Sequence, residues 1–226
     1  MSPTRRRTVV RDSLAVAVAT GTYGLSFGAL AVAAGLSLAQ TCALSLLMFT
    51  GGSQFALIGV LGAGGSAGAG IASALLLGAR NAFYAIRLAP LLDVRGRRRL
   101  AQAHLVIDES TAMALAQPEL PAARLAFLAT GIGIFVTWNL TTALGAVGAD
   151  ALGDLRAYGL DAAGPAAFVG LIAPRLRGRD PFLVAGAAAV VALALIPLVP
   201  AGVPVLVAAL AAVVVGARRR VVAVAP

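Results

Sequence analysis

Arg80 stands midway along an apolar stretch, Ala67–Leu92, with Asn81 beside it and Tyr84 one helical turn further on. A charge at the centre of a bilayer costs roughly 2.5–3.5 kcal/mol on insertion scales, so such a residue faces a partner or a wet cavity. A guanidinium suits a carboxylate, which it can grip through two parallel hydrogen bonds. That carboxylate would come from a bound solute, or from Asp108 or Glu109 in another apolar stretch, Leu100–Ala116. Either acid is also a candidate proton carrier of the kind that lines coupled transport paths. Read as one helix, this stretch puts His104, Asp108 and Thr111 on a single stripe, with His104 placed to bond Asp108. The same residues would equally suit a structural ion pair, or an interfacial helix with solvated charges.

Two other polar interruptions fall inside apolar stretches. In Leu38–Leu61 the run Gly51-Gly52-Ser53-Gln54 places two adjacent glycines, each costing about 1 kcal/mol relative to Ala in a helix. A helix opened there would offer backbone groups and the Gln54 amide to a polar or zwitterionic solute. The alternative is a close helix crossing in which Ser53 and Gln54 bond a neighbour. In Ala123–Val147, Asn139 follows Trp138 and offers a further polar contact, while Thr142, Gly145 and Gly148 have small-residue packing spacing. The run Gly21-Thr22-Tyr23-Gly24 reads as a third break, within Ser13–Ala34.

The elements that must hold these residues follow from composition. The chain has 226 residues, 60% hydrophobic and 12% charged, with a mean hydropathy of +0.93. Soluble domains carry about 25% charged residues, so much of this surface must meet lipid. The apolar runs are continuous rather than alternating, which excludes a β-barrel and predicts an all-α polytopic transmembrane bundle. Eight apolar stretches, several of them short for a span, predict about seven membrane segments (six to eight), forming a single transmembrane domain over 1–226. All of the 18 basic residues are Arg, and most cluster beside apolar runs: Arg5–Arg11, Arg95–Arg99, Arg175–Arg179 and Arg218–Arg220. This is the pattern of cytoplasmic flanks, not of a nucleic-acid surface. It places residues 1–12, 93–99, 175–180 and 217–226 in the cytoplasm. The lone Cys42 and lone His104 leave no metal cluster and no internal disulfide. No cofactor or hydrolase motif stands out; Ala151-Leu152-Gly153-Asp154 only grazes the intramembrane aspartyl-protease pattern, and no catalytic residue is assigned.

Parity exposes a conflict. Three simple crossings between Arg11 and Arg95 would set two arginine clusters on opposite faces. One or more segments in the N-terminal half is therefore expected to be broken or re-entrant. Such backbone is tolerated at membrane depth only where it is buried or lines a cavity.

Taken together, the segments Gly28–Ser37, Phe49–Phe55, Arg80–Tyr84 with Leu88-Ala89-Pro90, Asp108-Glu109-Ser110, Trp138 with its following glycines, and Gly159-Leu160-Asp161 resemble the AzlC family of branched-chain amino-acid permeases. The resemblance implies a bacterial inner-membrane subunit that exports amino acids such as valine, working with a small hydrophobic partner of the AzlD type. The family often carries Asn-x-Arg-His where this chain has Gly78-Ala79-Arg80-Asn81. A membrane scaffold that moves no solute is the competing reading. The expected substrate contacts are Gly51, Gly52, Ser53, Gln54, Arg80, Asn81, Tyr84 and Asn139, with Asp108 and Glu109 as the proton-coupling pair.

Overall fold

In the computed structural model, residues 1–152 and 176–210 are described, together with 169, 172, 173 and 213. The described residues form helices α1 (Pro3–Ala33), α2 (Leu38–Leu47), α3 (Gly52–Gly62), α4 (Ala67–Gly78), α5 (Arg80–Leu92), α6 (Arg97–His104), α7 (Asp108–Leu115), α8 (Leu120–Leu152) and α9 (Arg179–Leu195), and no strand. Residues 203–210 are also helical. Among the described residues, three helices are long and apolar enough to cross a membrane: Pro3–Ala33, Ala67–Leu92 (α4 and α5 together) and Leu120–Ala149. Of the expected sixth apolar stretch, 162–174, only 169, 172 and 173 are among the described residues, and the basic tail at 217–226 lies outside them.

Starts and stops are written locally. Ser2 caps α1 ahead of Pro3 at the first helical position, and Ser66 caps α4. Ser37 and Gln40 close a reciprocal capping box at the start of α2.

Pairings along α1 and α8 climb together. Arg5 reaches Gln117 (2.9 Å), Val9 packs on Ala122 and Ala126, Thr137 donates to the Ala17 carbonyl (2.9 Å) and Ala29 meets Ala149. The two helices are therefore parallel. At the other end of the bundle's middle, Arg124 near the start of α8 donates to the Leu91 carbonyl near the end of α5 (2.8 Å). The α4–α5 rod thus runs opposite to both.

The remaining helices pair into two hairpins that enter from opposite faces and turn back. The first leaves the end of α1 and descends through Ser45, against Thr142 (3.4 Å), to Phe49, against Phe135 (5.1 Å between centroids). Phe135 is about halfway along α8. The chain then returns along α3, and a Cβ on Gly62 would lie 3.6 Å from that of Ala34. The second hairpin leaves the end of α5 and climbs to His104, which also faces Phe135 (5.6 Å). It descends along α7 to the Gln117–Arg5 contact.

This arrangement removes the parity conflict. Neither hairpin crosses, so a single rod separates the end of α1 from the start of α8. Arg5–Arg11 and Arg95–Arg99 then lie on one face. The turn at Ala201–Gly202 packs on Gly65, Val60 and Ala69 at the other face.

Two expectations are corrected. Leu100–Ala116 is not one helix: Ile107 is extended (φ −130°, ψ 174°), and the stripe of His104, Asp108 and Thr111 does not form. The Gly21–Gly24 run is not a break, because α1 continues through it. Its glycines admit α8 instead. A Cβ on Gly24 would lie 2.6 Å from the Trp138 carbonyl oxygen, and Thr141 donates to the Gly21 carbonyl. Of the predicted small-residue seam, Thr142 and Gly145 pack on α1, whereas a Cβ on Gly148 would meet no described residue within 4 Å.

Candidate functional site

The hairpin tips are built by different means. At the first, Met48 leaves the helix (φ −110°, ψ 61°) and Gly51 takes φ +44°, ψ −82°, a backbone conformation costly for any residue with a Cβ. Helix α3 restarts at Gly52 with no side-chain cap, so its first N–H groups have no partner within the helix. At the second tip Ser110 is the organiser. Its hydroxyl accepts from the Ile107 N–H (3.2 Å) and donates to the Leu105 carbonyl (2.6 Å), which turns the chain and starts α7 at Asp108.

Arg80 begins α5 between these tips. Its Nη2 lies 2.6 Å from Asp108 Oδ2, and Tyr84 donates to Asp108 Oδ1 (2.6 Å) from one turn along. Both charged side chains are mostly buried, at 20% and 12% exposure. Gly52 allows this approach, since a Cβ there would lie 3.2 Å from Arg80 Nη2. The guanidinium therefore lies against the positive end of α3, and the Asp108 carboxylate is the counter-charge that makes this tolerable.

A cavity of about 210 Å³ opens at this point. Its polar lining comes from Thr20 and Tyr23 of α1, Thr50 with the Gly51–Gly52 backbone, Arg80 and Asn81, and Asp108 and Glu109. Its apolar wall is Phe49, Phe55, Ile107, Ile134 and Trp138. The wall is rigid: Phe27 packs on Phe55 (5.8 Å) and on Trp138 (6.1 Å), and Phe55 meets Trp138 edge to face (6.2 Å). Four buried polar atoms on lining residues have no partner among the described residues: Thr50 Oγ1, Arg80 Nε, Asn81 Oδ1 and Trp138 Nε1, and Thr50 and Asn81 also border a second cavity along α4 and α5. Nine other buried side-chain atoms lack a partner elsewhere among the described residues; these four differ in bordering this cavity, which a polar occupant could fill.

The predicted site residues divide accordingly. Gly51, Gly52, Arg80, Asn81, Asp108 and Glu109 line the cavity, and Tyr84 touches it through Asp108. Ser53 is buried beside Gly78 and faces a second, more open cavity along α4 and α5. Gln54 is buried and donates to the Leu44 carbonyl (3.2 Å), stitching α3 to the last turn of α2. Asn139 donates to the Phe135 carbonyl of its own helix (2.7 Å) and does not line the main cavity. His104 contacts the Leu46 carbonyl (2.9 Å) and not Asp108, because the break at 105–107 sends the two residues onto different helices. Sequence reasoning missed Thr20, Phe49, Thr50, Phe55, Ile107, Ile134 and Trp138 as lining residues, and met Tyr23 only inside the expected break at Gly21–Gly24. Thr20 and Tyr23, three residues apart, were the one available signal on α1.

A family model described as AzlC protein matches residues 15–152. Those residues contain both hairpins and every side chain that lines the cavity. No curated protein and no solved structure gives a significant match.

Proposed function

The chain belongs to the AzlC family of transport-associated membrane proteins, and on that premise we propose that it is the large subunit of a secondary transporter that exports branched-chain amino acids such as valine. The observation that carries this reading is the cavity between the hairpin tips. It lies midway along the crossing helices, joins a buried cation to two carboxylates, and sets an aromatic and aliphatic wall opposite them. An amino acid with a short branched side chain has the same division. Unwound or terminal helix backbone at membrane depth is where transporters hold such solutes.

The arginine-rich face would be cytoplasmic by the positive-inside rule, in a bacterial inner membrane, with both chain termini on that side. A small hydrophobic partner of the AzlD type would complete the assembly, and Asp108 or Glu109 would carry a coupling proton. The rival reading, a scaffold that moves no solute, draws on the Arg80–Asp108–Tyr84 cluster, which is already self-satisfied in part. Reconstitution into proteoliposomes with and without the small partner separates the two. Saturable flux of labelled valine is expected in at least one of these preparations. Absence of flux in both would leave the scaffold.

A further inference from the structure

The cavity's polar atoms sort by hydrogen-bonding sense. Arg80 Nε and Trp138 Nε1 can only donate, as can the Gly52 N–H at the start of α3 beside them. Gly51 and Trp138 are neighbours here, since a Cβ on Gly51 would lie 3.8 Å from the indole. Asn81 Oδ1 accepts, and Asp108 and Glu109 add carboxylate oxygens at the start of α7. Thr50 Oγ1 does either. Donors thus collect around the Arg80–α3 corner, and acceptors around Asn81 and the start of α7. One atom belongs to both camps: Asp108 Oδ2 occupies the Arg80 guanidinium at 2.6 Å.

We propose that the cavity binds a zwitterionic head group in one orientation, with its carboxylate on Arg80 and the α3 terminus and its ammonium towards Asp108 and Glu109, and that the incoming carboxylate takes Arg80 over from Asp108. This deepens the transporter reading and rests on it. The exchange keeps the local charge balanced. The solute brings one negative group to Arg80 and one positive group to the released Asp108, so no buried charge is left unpaired. A solute with one charge fails that condition. A carboxylate alone brings no positive group to offset the Asp108 charge, although Tyr84 still bonds it, and an amine alone leaves the Arg80 corner with its donors unmet. The aliphatic side chain then lies on Phe55, Ile134 and Trp138.

The test is equilibrium binding to the purified full-length chain in nanodiscs, using L-valine, isovalerate (valine without its ammonium) and isobutylamine (valine without its carboxylate). Valine is expected to bind, and each fragment to bind at least tenfold more weakly. In Asp108→Asn, a near-isosteric change that removes the competing charge, isovalerate is expected to gain affinity while valine loses it. A merely structural Asp108 would weaken both ligands together. Arg80→Lys, which keeps the charge but not the fork, is expected to weaken valine at least tenfold while the protein stays monodisperse. Valine binding with either fragment equally tight, or with isovalerate unimproved by Asp108→Asn, would overturn the orientation and leave the transporter reading standing. Valine failing to bind at all would overturn both.

Discussion

Arg80 and Asp108 form a pair whose value depends on what else uses it. Losing one partner leaves the other buried and uncompensated, so Arg80→Ala is expected to cost about 3–5 kcal/mol of stability. Replacing both by apolar side chains of similar volume, Arg80→Met with Asp108→Leu, is expected to restore melting to near the parent value. The double variant should nevertheless bind no valine, whereas a pair built only for structure would leave any solute binding intact. Thermal unfolding in detergent and labelled-valine binding on the same preparation read both outcomes. Arg80, Asp108 and Glu109 were legible in the sequence because a charge inside an apolar run is costly and asks for a reason. Phe49, Ile107 and Ile134 were not, because an apolar residue in a membrane segment looks alike whether it meets lipid, a helix or a cavity wall. Gln54 and Asn139 show the converse. A polar side chain at membrane depth can direct its amide N–H to one backbone carbonyl, as each of these does, and only the fold tells which.

At the level of elements, glycine carried two meanings that its helix cost alone does not separate. Gly51 marks a true reversal, since its φ of +44° closes the first hairpin tip. The Gly21 and Gly24 pair marks the opposite, an unbroken helix pressed against α8. Only the partner helix distinguishes them, and the partner lies more than a hundred residues away. The seam gives a prediction of opposite signs. A Cβ on Gly28 would lie 2.8 Å from the Ala146 nitrogen, which is backbone and cannot rotate aside, so Gly28→Ala is expected to destabilise by about 1–3 kcal/mol. A Cβ on Gly148 meets no described residue within 4 Å, so Gly148→Ala is expected to stabilise α8 by up to about 1 kcal/mol. Denaturant titration of the two variants measures both. The tip at Leu105–Ile107 was illegible for another reason. It contains no glycine or proline, and a single serine hydroxyl bridging Ile107 and Leu105 does the turning.

Across the whole molecule, the arginine clusters supplied the constraint that composition did not. Their spacing is incompatible with simple rods, and two inward-turning hairpins meet it while bringing the starts of α3, α5 and α7 together at mid-depth. Each of those starts is the positive end of a helix or carries the residue that balances one. The membrane character, the irregular first half and the charged pair were thus readable in advance. The direction in which each hairpin enters was not, because it is set by contacts such as Gly62 with Ala34 and Arg124 with Leu91 that no local pattern announces. A solute held between the hairpin tips protects the positions that line the cavity. The most direct test of that site is protection of a lining position in proteoliposomes. Thr20→Cys, made in a Cys42→Ser background, places a thiol on the cavity, and Val18→Cys places one on the exposed side of the same helix. Valine is expected to slow maleimide labelling at position 20 several-fold and to leave position 18 unchanged; equal rates at position 20 with and without saturating valine would rule out a solute site between the tips.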